Sequence, residues 1–381
     1  MNFKTILEQQ EIKSSVPCRI DLGGTLDIST FFLPLGYLNP ATFNIALNMR
    51  TTVTLSPWRD GYIKISSKGF ESAEFAARTA PFNHQMGLMF AVVRFFNGSG
   101  VHVQIESTSP PRSALGGSSS AAVAMIAAFK SAINKAQSSN IELSKQDVDY
   151  IRSININSID PAQISMLAHY IESSVAGVPC GLQDQLAAAY GGVNCWYWRM
   201  GENGISFTQD NLLAKQEESS KSDIGTISDG CQFDINNNIL VAYCGIPHVS
   251  SDINRRWVNS FLAGENRDKW ELIIKITRDF SNAVKTHDFN LAADLMNQET
   301  QIRLDMTPDV LDKTGKLLFE CAKKLGCGAR FTGAGGGGCL WAVGEKSNIA
   351  ALKNGWKNIV DKEPAADILK TKVDFDGILL H

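Results

Sequence analysis

The sequence predicts a two-domain protein that mixes strands and helices, on three observations. Its 381 residues are long for one compact core. Segments that alternate apolar and polar residues stand beside segments with an apolar residue every third or fourth position. After Trp198 the text turns polar through residue 229, including Lys-Gln-Glu-Glu-Ser-Ser-Lys-Ser-Asp at 215–223, as a surface excursion at a domain junction would. The domains are therefore expected at 1–198 and 199–381.

Taken in order, residues 1–15 read as a short helical or loose lead-in. Residues 41–66 carry β-branched alternation typical of strands, and Asp60-Gly61 predicts a hairpin between the last two. Met86, Met89, Phe90, Val93 and Phe96 recur at helical spacing over 84–97 and are expected to be core rather than a cofactor site. Val101, Val103 and Ile105 alternate with polar neighbours as in a strand. Ser144 is placed as an N-cap, and Asp160-Pro161 opens a helix through Leu167, Ile171 and Val175 toward Gly177. Further on come a strand from Asn238 to Cys244 and helices over 268–286, 290–305 and 308–325, the last starting at Pro308 and stopping at Gly326. A strand at Leu340–Val343, a helix at 347–361 and a strand region at 366–380 complete the chain.

Composition narrows the function. Hydrophobic residues make up 44% and charged residues 20%, as in ordinary globular proteins. The net charge of −3 gives no electrostatic reason to expect a nucleic acid or an anionic membrane as partner. No apolar run reaches the roughly 18–20 residues of a membrane span, and the first residues lack the pattern of a leader peptide. The eight cysteines, at 18, 180, 195, 231, 244, 321, 327 and 339, show no Cys-x-x-Cys spacing. They are expected to be reduced thiols in a cytoplasmic protein. Cys244 and His248 have a ligand-like spacing, but two ligands do not make a structural zinc site.

The chemistry concentrates in residues 110–129. Pro110 and Pro111 end the preceding strand. Gly116, Gly117, Ser118, Ser119 and Ser120 form a small, flexible loop, and Ala121 to Phe129 form an apolar helix. Strand, Gly/Ser loop and helix together suit a phosphate. Glycine permits close approach and positive φ, and the first amides of a helix are unpaired and favour an anion. No Gly-Lys-Ser/Thr follows, so this is not a Walker A loop. A Ser/Gly linker ahead of a core helix would read the same way in isolation.

This stretch resembles the phosphate loop of the GHMP kinases (galactokinase, homoserine kinase, mevalonate kinase, phosphomevalonate kinase), whose pattern is Pro-x-x-x-Gly-Leu-Gly/Ser-Ser-Ser-Ala. Pro111, Ala114, Leu115, Gly116, Gly117, Ser118, Ser119, Ser120 and Ala121 match in character, with the first glycine shuffled. Residues 177–194, Gly-Val-Pro-Cys-Gly-Leu-Gln-Asp-Gln-Leu-Ala-Ala-Ala-Tyr-Gly-Gly-Val-Asn, are similar to the galactokinase text Gly-x-x-Cys-Gly-Ile-Met-Asp-Gln and still more to heptose-phosphate kinase text. Residues 328–339, Gly-Ala-Arg-Phe-Thr-Gly-Ala-Gly-Gly-Gly-Gly-Cys, resemble the family's third motif. Near the N-terminus, Val16-Pro17-Cys18-Arg19-Ile20-Asp21-Leu22-Gly23-Gly24-Thr25-Leu26-Asp27 resembles the family's sugar-kinase segment, its text closest to the heptose-phosphate kinase and fucokinase branch.

The resemblance implies an α+β fold, with an N-terminal domain like the second domain of ribosomal protein S5 and a ferredoxin-like C-terminal domain. It implies a kinase using ATP and Mg²⁺ on a small molecule, acting as a monomer or homodimer. Asp184 takes the catalytic role, with Arg19 beside it to keep it ionised. Ala114, Leu115, Gly116, Gly117, Ser118, Ser119 and Ser120 hold the ATP phosphates, and Ser120 and Glu172 hold the metal. Asp27, Asp21, Gly181 and Gln183 bind the substrate, and Gly333, Gly335 and Gly336 form the active-site glycine loop. The acceptor implied is a sugar or sugar phosphate of the heptose 7-phosphate, galactose or fucose type, attacked through its anomeric hydroxyl. Thr25-Leu26 stands where galactokinases carry Glu-His, and Thr300 replaces the histidine of a family Met-Asn-x-Ser-His text. A mevalonate-pathway enzyme and a ligand sensor without catalysis are the other readings. The Ser250–Arg256 text is similar to a galactokinase stretch and could equally be a solvated basic face.

Overall fold

The computed structural model describes residues 1–138, 144–153, 159–177, 179–202, 204–213, 234–247 and 250–381, with side chains in the last span from 253 on. The expected polar excursion from residue 214 to 229 lies outside the described residues, as do Cys231 and His248. Cys18, Cys195, Cys244, Cys321, Cys327 and Cys339 are free thiols.

The first sheet contains β1 (Ile12–Leu22), β2 (Ala41–Pro57), β3 (Tyr62–Ser67), β4 (Ala73–Ala76), β5 (Val101–Ser107), β6 (Val193–Gly201) and β7 (Gly204–Leu213). The second contains β8 (Ile239–Tyr243), β9 (Gly328–Phe331), β10 (Cys339–Val343) and β11 (Asp367–Leu369), in the order β11-β8-β10-β9 and antiparallel throughout. A last short strand, β12 (Leu379–Leu380), returns to the first sheet, whose order is β12-β1-β2-β5-β3-β4. The β6–β7 hairpin attaches to the first half of β2, Ala41–Ile45. β5 pairs with its second half, from Thr51 on.

Among the described residues twelve helices accompany these sheets. Those of the first half are α1 (Lys4–Leu7), α2 (Ser29–Phe32), α3 (Gly87–Phe95), α4 (Gly117–Ser138), α5 (Lys145–Ser153), α6 (Pro161–Val175) and α7 (Gln183–Tyr190). Those of the second are α8 (Ser250–Leu262), α9 (Arg267–Lys285), α10 (Phe289–Met306), α11 (Lys313–Lys324) and α12 (Lys346–Val360). The capping expectations hold. Ser144 Oγ accepts the Asp147 amide at 3.1 Å, and the Asp160 side chain accepts the Ala162 amide at 3.1 Å ahead of Pro161.

Local sequence explains how β1 serves two cores. Ile12 and Val16 pack under α4, whose Ala121–Phe129 run is buried throughout. At Pro17/Cys18 the register with β2 shifts in a bulge; proline has no N–H to give the ladder, and a bulge re-aims the side chains after it. On its far side Cys18, Ile20 and Leu22 enter a central core with Phe43, Phe280 and Trp341. Arg19 is left facing the loop before α4 and the start of α7.

Four expectations are corrected. The boundary at 198/199 falls inside β6, because β6 and β7 complete the first sheet. The C-terminal region also crosses back: Val373 bridges Leu47, and β12 pairs with β1. The Asp60-Gly61 turn makes no hairpin between β2 and β3. β5 lies between them, parallel to β3, and the turn steps over it through Trp58 N–H to Gly100 O at 3.0 Å. The third C-terminal helix starts at Lys313 rather than Pro308, because Asp312 supplies the cap by accepting the Gly315 amide at 2.7 Å. The lead-in before residue 16 already contains the first pairs of β1 with β2, from Ile12.

Candidate active site

Between the two halves lies a cavity of about 540 Å³ whose walls include Arg19, Asp27, the 110–119 segment, Glu172, Gln183 and Asp184. Each wall follows from a piece of local structure.

The Gly/Ser loop before α4 is held in a constrained shape. Arg112 and Ala114 both have positive φ, 54° and 61°, before Gly116 at 79°. Side chains with a Cβ adopt this region at a cost of about 1–3 kcal/mol, and only where neighbours fix them. The neighbours here are the third motif and Arg19. Cys339 N–H donates to Ser113 O at 2.9 Å. A Cβ on Gly338 would stand 2.7 Å from that same oxygen. Arg19 Nη1 donates to Ala114 O at 2.7 Å and its amide to Leu115 O at 3.1 Å. The loop delivers the unpaired amides of the first turn of α4 to the cavity.

Asp184 sits in the first turn of α7 and closes on the loop: a Cβ added to Gly116 would be 3.3 Å from Asp184 Oδ2. Arg19 grips the carboxylate with both edges of its fork, Nε to Oδ1 and Nη2 to Oδ2 at 2.8 Å each. Arg19 is 4% exposed and the Asp184 side chain 24%, so the carboxylate keeps an opening to the cavity. Burial pushes the Asp184 carboxyl above its ordinary range and Arg19 pulls it back without overcoming that push. The expectation that Arg19 keeps Asp184 ionised is thus opposed by burial. A carboxylate shifted upward is a better proton acceptor near neutrality.

Asp27 stands across the cavity, 3% exposed, accepting the Gln183 amide at Oδ2 over 3.0 Å. Burial lifts its pKa to about 6. Gly181 makes room for it, since a Cβ there would lie 1.7 Å from Asp27 Oδ2. Gln183 is buried, with Oε1 unpartnered, a polar atom available to a ligand.

Glu172 on α6 meets the serines of α4. Ser119 Oγ donates to Oε2 at 2.8 Å, Ser118 Oγ to Oε1 at 3.2 Å, and Gln185 Nε2 to Oε2 at 2.7 Å. Burial raises the Glu172 pKa, opposed by the Ser119 hydroxyl. The sequence reading paired Ser120 with Glu172. Helix phase turns Ser120 inward instead, where it donates to Pro17 O at 3.2 Å. The oxygen donors beside Glu172 are those of Ser119 and Ser118, a set suited to a hard cation that keeps other ligands from phosphate and water.

Two more placements differ from expectation. Asp21 is fully buried and does not line the cavity. Its carboxylate is taken up by Gly333 N–H at 2.7 Å and Arg330 Nη1 at 3.1 Å. Of the glycine loop, Gly333 reaches the cavity wall while Gly335 and Gly336 pack against Val310 and Ile253. Met86 and Met89, expected as core, are buried and also form cavity wall with Phe70 and Ile105. Asn254 lines the cavity from α8, whereas Arg256 pairs at the surface with Asp309 at 2.7 Å.

A Gly/Ser loop at a helix start, a carboxylate locked to an arginine and a second carboxylate opposite define a phosphotransferase-like site. The family models agree. Residues 86–192 match the GHMP kinases N terminal domain and residues 280–362 the GHMP kinases C terminal domain. The chain belongs to the GHMP kinase superfamily and has its two-domain α+β fold. Over 184 residues it is 25% identical to "Probable glucuronokinase 2" of Arabidopsis thaliana, covering 46% of this chain and 45% of that protein. The structure of Lactococcus lactis galactokinase complexed with galactose superposes with a TM-score of 0.65 at 15% identity, covering 99% of this chain and 97% of that one. A D-glycero-D-manno-heptose 1-phosphate kinase from Bacteriodes thetaiotaomicron gives 0.62 at 16% identity, covering 97% and 98%. At such identity the likeness is one of fold, which mevalonate kinase structures share. Among the described residues no helix is long and apolar enough to cross a membrane.

Proposed function

We propose that this chain transfers the γ-phosphate of ATP to a hydroxyl of a sugar or sugar phosphate, the anomeric hydroxyl of a heptose 7-phosphate, galactose or fucose type of acceptor. The observation that carries the proposal is the Arg19–Asp184 pair seated against the phosphate loop, with Asp27 facing it across one cavity.

Phosphoryl transfer depends chiefly on positioning and charge neutralisation. The amides of the 114–120 loop and helix start bind the phosphates. Asp184 takes or orients the acceptor's proton, and Arg19 holds Asp184 in place and adds positive charge beside the transferred group. Asp27 and Gln183 receive acceptor hydroxyls, and Asn254 completes that end. The Met86, Met89, Phe70 and Ile105 wall offers an apolar seat for the nucleotide base. Glu172 with Ser119 would hold Mg²⁺, which when bound neutralises phosphate charge. The carboxylates and amides at the acceptor end, and the glucuronokinase likeness, support a polyhydroxyl acceptor over mevalonate. The buried thiols of Cys18, Cys195, Cys244, Cys327 and Cys339 suit a cytoplasmic setting.

The test is ADP release from Mg-ATP with galactose, fucose, arabinose, heptose 7-phosphate, mevalonate and homoserine. Turnover on one sugar is the expected result. Turnover on mevalonate or homoserine alone would overturn the acceptor assignment.

A further inference from the structure

Behind the acceptor end lies a row of buried charges that the transfer chemistry leaves unused. Glu299 and Arg303 on α10 and Arg330 on β9 are fully buried. Arg303 Nε and Arg330 Nε each donate to Glu299 at 2.9 Å, and Arg330 continues to Asp21. The Arg303 guanidinium lies in the corner formed by two edge-to-face indoles, 4.6 Å from the ring centres of Trp257 and of Trp270. Burial lowers its pKa to about 10, so it remains charged at neutral pH beside Glu299. Its two remaining arms leave the second domain altogether. Nη2 donates to Gly24 O at 2.9 Å and Nη1 to Thr25 Oγ1 at 3.2 Å.

Thr25 makes this contact informative. It lines the cavity, and its φ is 78°. A β-branched residue in the left-handed region is an outlier that persists only when its surroundings fix it. Asp27, the acceptor-side carboxylate, is two residues further on.

We propose that Arg303 is a positioning residue for the acceptor. Anchored against two tryptophans, it holds the 23–27 turn by Gly24 O and Thr25 Oγ1, and thereby fixes where Asp27 stands. The proposal rests on the phosphotransfer reading of the cavity. Arg303 is itself too buried to touch a ligand. A purely structural filler against two indoles could be apolar at little cost in stability. A planar fork is needed only because the group must reach Glu299 and the turn at once, which lysine cannot do.

The test is Arg303→Lys with Thr25→Gly as the second variant, the latter removing the side-chain hook while leaving the Glu299 pairs to Arg303 and Arg330 and the Gly24 contact in place. In Arg303→Lys, amide hydrogen exchange over residues 22–28 is expected to quicken at least tenfold, with residues 114–120 unchanged. The acceptor KM rises at least tenfold in both variants while the ATP KM stays within twofold, and Thr25→Gly melts no lower than wild type. The double variant is no worse than the more affected single one by more than a small factor, because both act on the same turn. Wild-type exchange over 22–28 in Arg303→Lys would overturn the proposal. So would a wild-type acceptor KM in Thr25→Gly, or acceptor and ATP KM values rising together. If wild-type protein turns over no hydroxyl acceptor, the phosphotransfer reading fails, and the exchange measurement still decides the clamp.

Discussion

Replacing Gly181 by alanine puts the acceptor site under a defined load. The added Cβ would lie 1.7 Å from Asp27 Oδ2 and 2.1 Å from its Cγ. Ordinary carbon contacts lie near 3.5 Å, so the carboxylate must retreat by roughly 1.5–2 Å. Gly181 does not have positive φ, so backbone strain plays no part and the effect falls on Asp27. The retreat breaks the 3.0 Å bond from the Gln183 amide as well. A displacement of about 1 Å in a positioning group can cost 10²-fold. We therefore expect acceptor kcat/KM to fall about 10²-fold, or about 2.7 kcal/mol of transition-state stabilisation. Overpacking should cost a further 1–3 kcal/mol of fold stability, roughly. The ATP KM should stay within twofold, since the atoms nearest the added Cβ all belong to Asp27. Steady-state kinetics with each substrate varied in turn and a thermal melt measure all three. A folded Gly181→Ala enzyme with wild-type acceptor kcat/KM would refute the placement of Asp27 in the acceptor site.

Two further predictions concern the metal and pH. Ser119→Ala should raise the Mg²⁺ concentration for half-maximal rate about tenfold, whereas Ser120→Ala should leave it unchanged and cost about 1 kcal/mol in a denaturant melt, the loss of one buried hydrogen bond. The reverse pattern would restore Ser120 as the ligand. For Asp27, burial places the folded pKa at about 6, above its unfolded value. Its contribution to stability is thus fully present below the unfolded pKa and lost as pH rises through about 6. Asp27→Asn should gain stability relative to wild type across that window, by on the order of 2–3 kcal/mol. Acceptor kcat/KM of the wild type should fall below pH 6, as the carboxylate that receives the hydroxyl is protonated. A flat profile from pH 5 to 7 would count against it.

Features that are local in the chain could be read from the sequence, and features that depend on chain crossings could not. The loop at 114–120, Asp184 in a first helical turn, and the Asp160-Pro161 and Ser144 caps each depend on a few neighbouring residues. The choice between Ser119 and Ser120 depends on helix phase against β1, which the spacing of three successive serines does not reveal. Arg330 and Arg303, joined by Glu299, reach residues 21–25 across more than 270 residues of chain, and a charged residue at helical spacing reads as solvated until its burial is known. Arg330 had the strongest prior signal, standing inside the third motif. The hairpin at Asp60-Gly61 failed for a similar reason: turn chemistry is local, but the strand inserted beside it, β5, comes about forty residues later. The split at residue 198 failed because a polar change in composition marks an exposed segment and does not show which sheet the flanking strands join.

The central claim is that Asp184, held by Arg19 against the phosphate loop, serves the transfer step and not nucleotide binding. Asp184→Asn, compared with wild type by calorimetric ATP binding and by single-turnover phosphate transfer to the best acceptor, tests it directly. We predict ATP affinity within about threefold of wild type and transfer slowed by about 10²–10⁴-fold, the range for loss of a general base. Transfer at the wild-type rate in this variant would contradict the account.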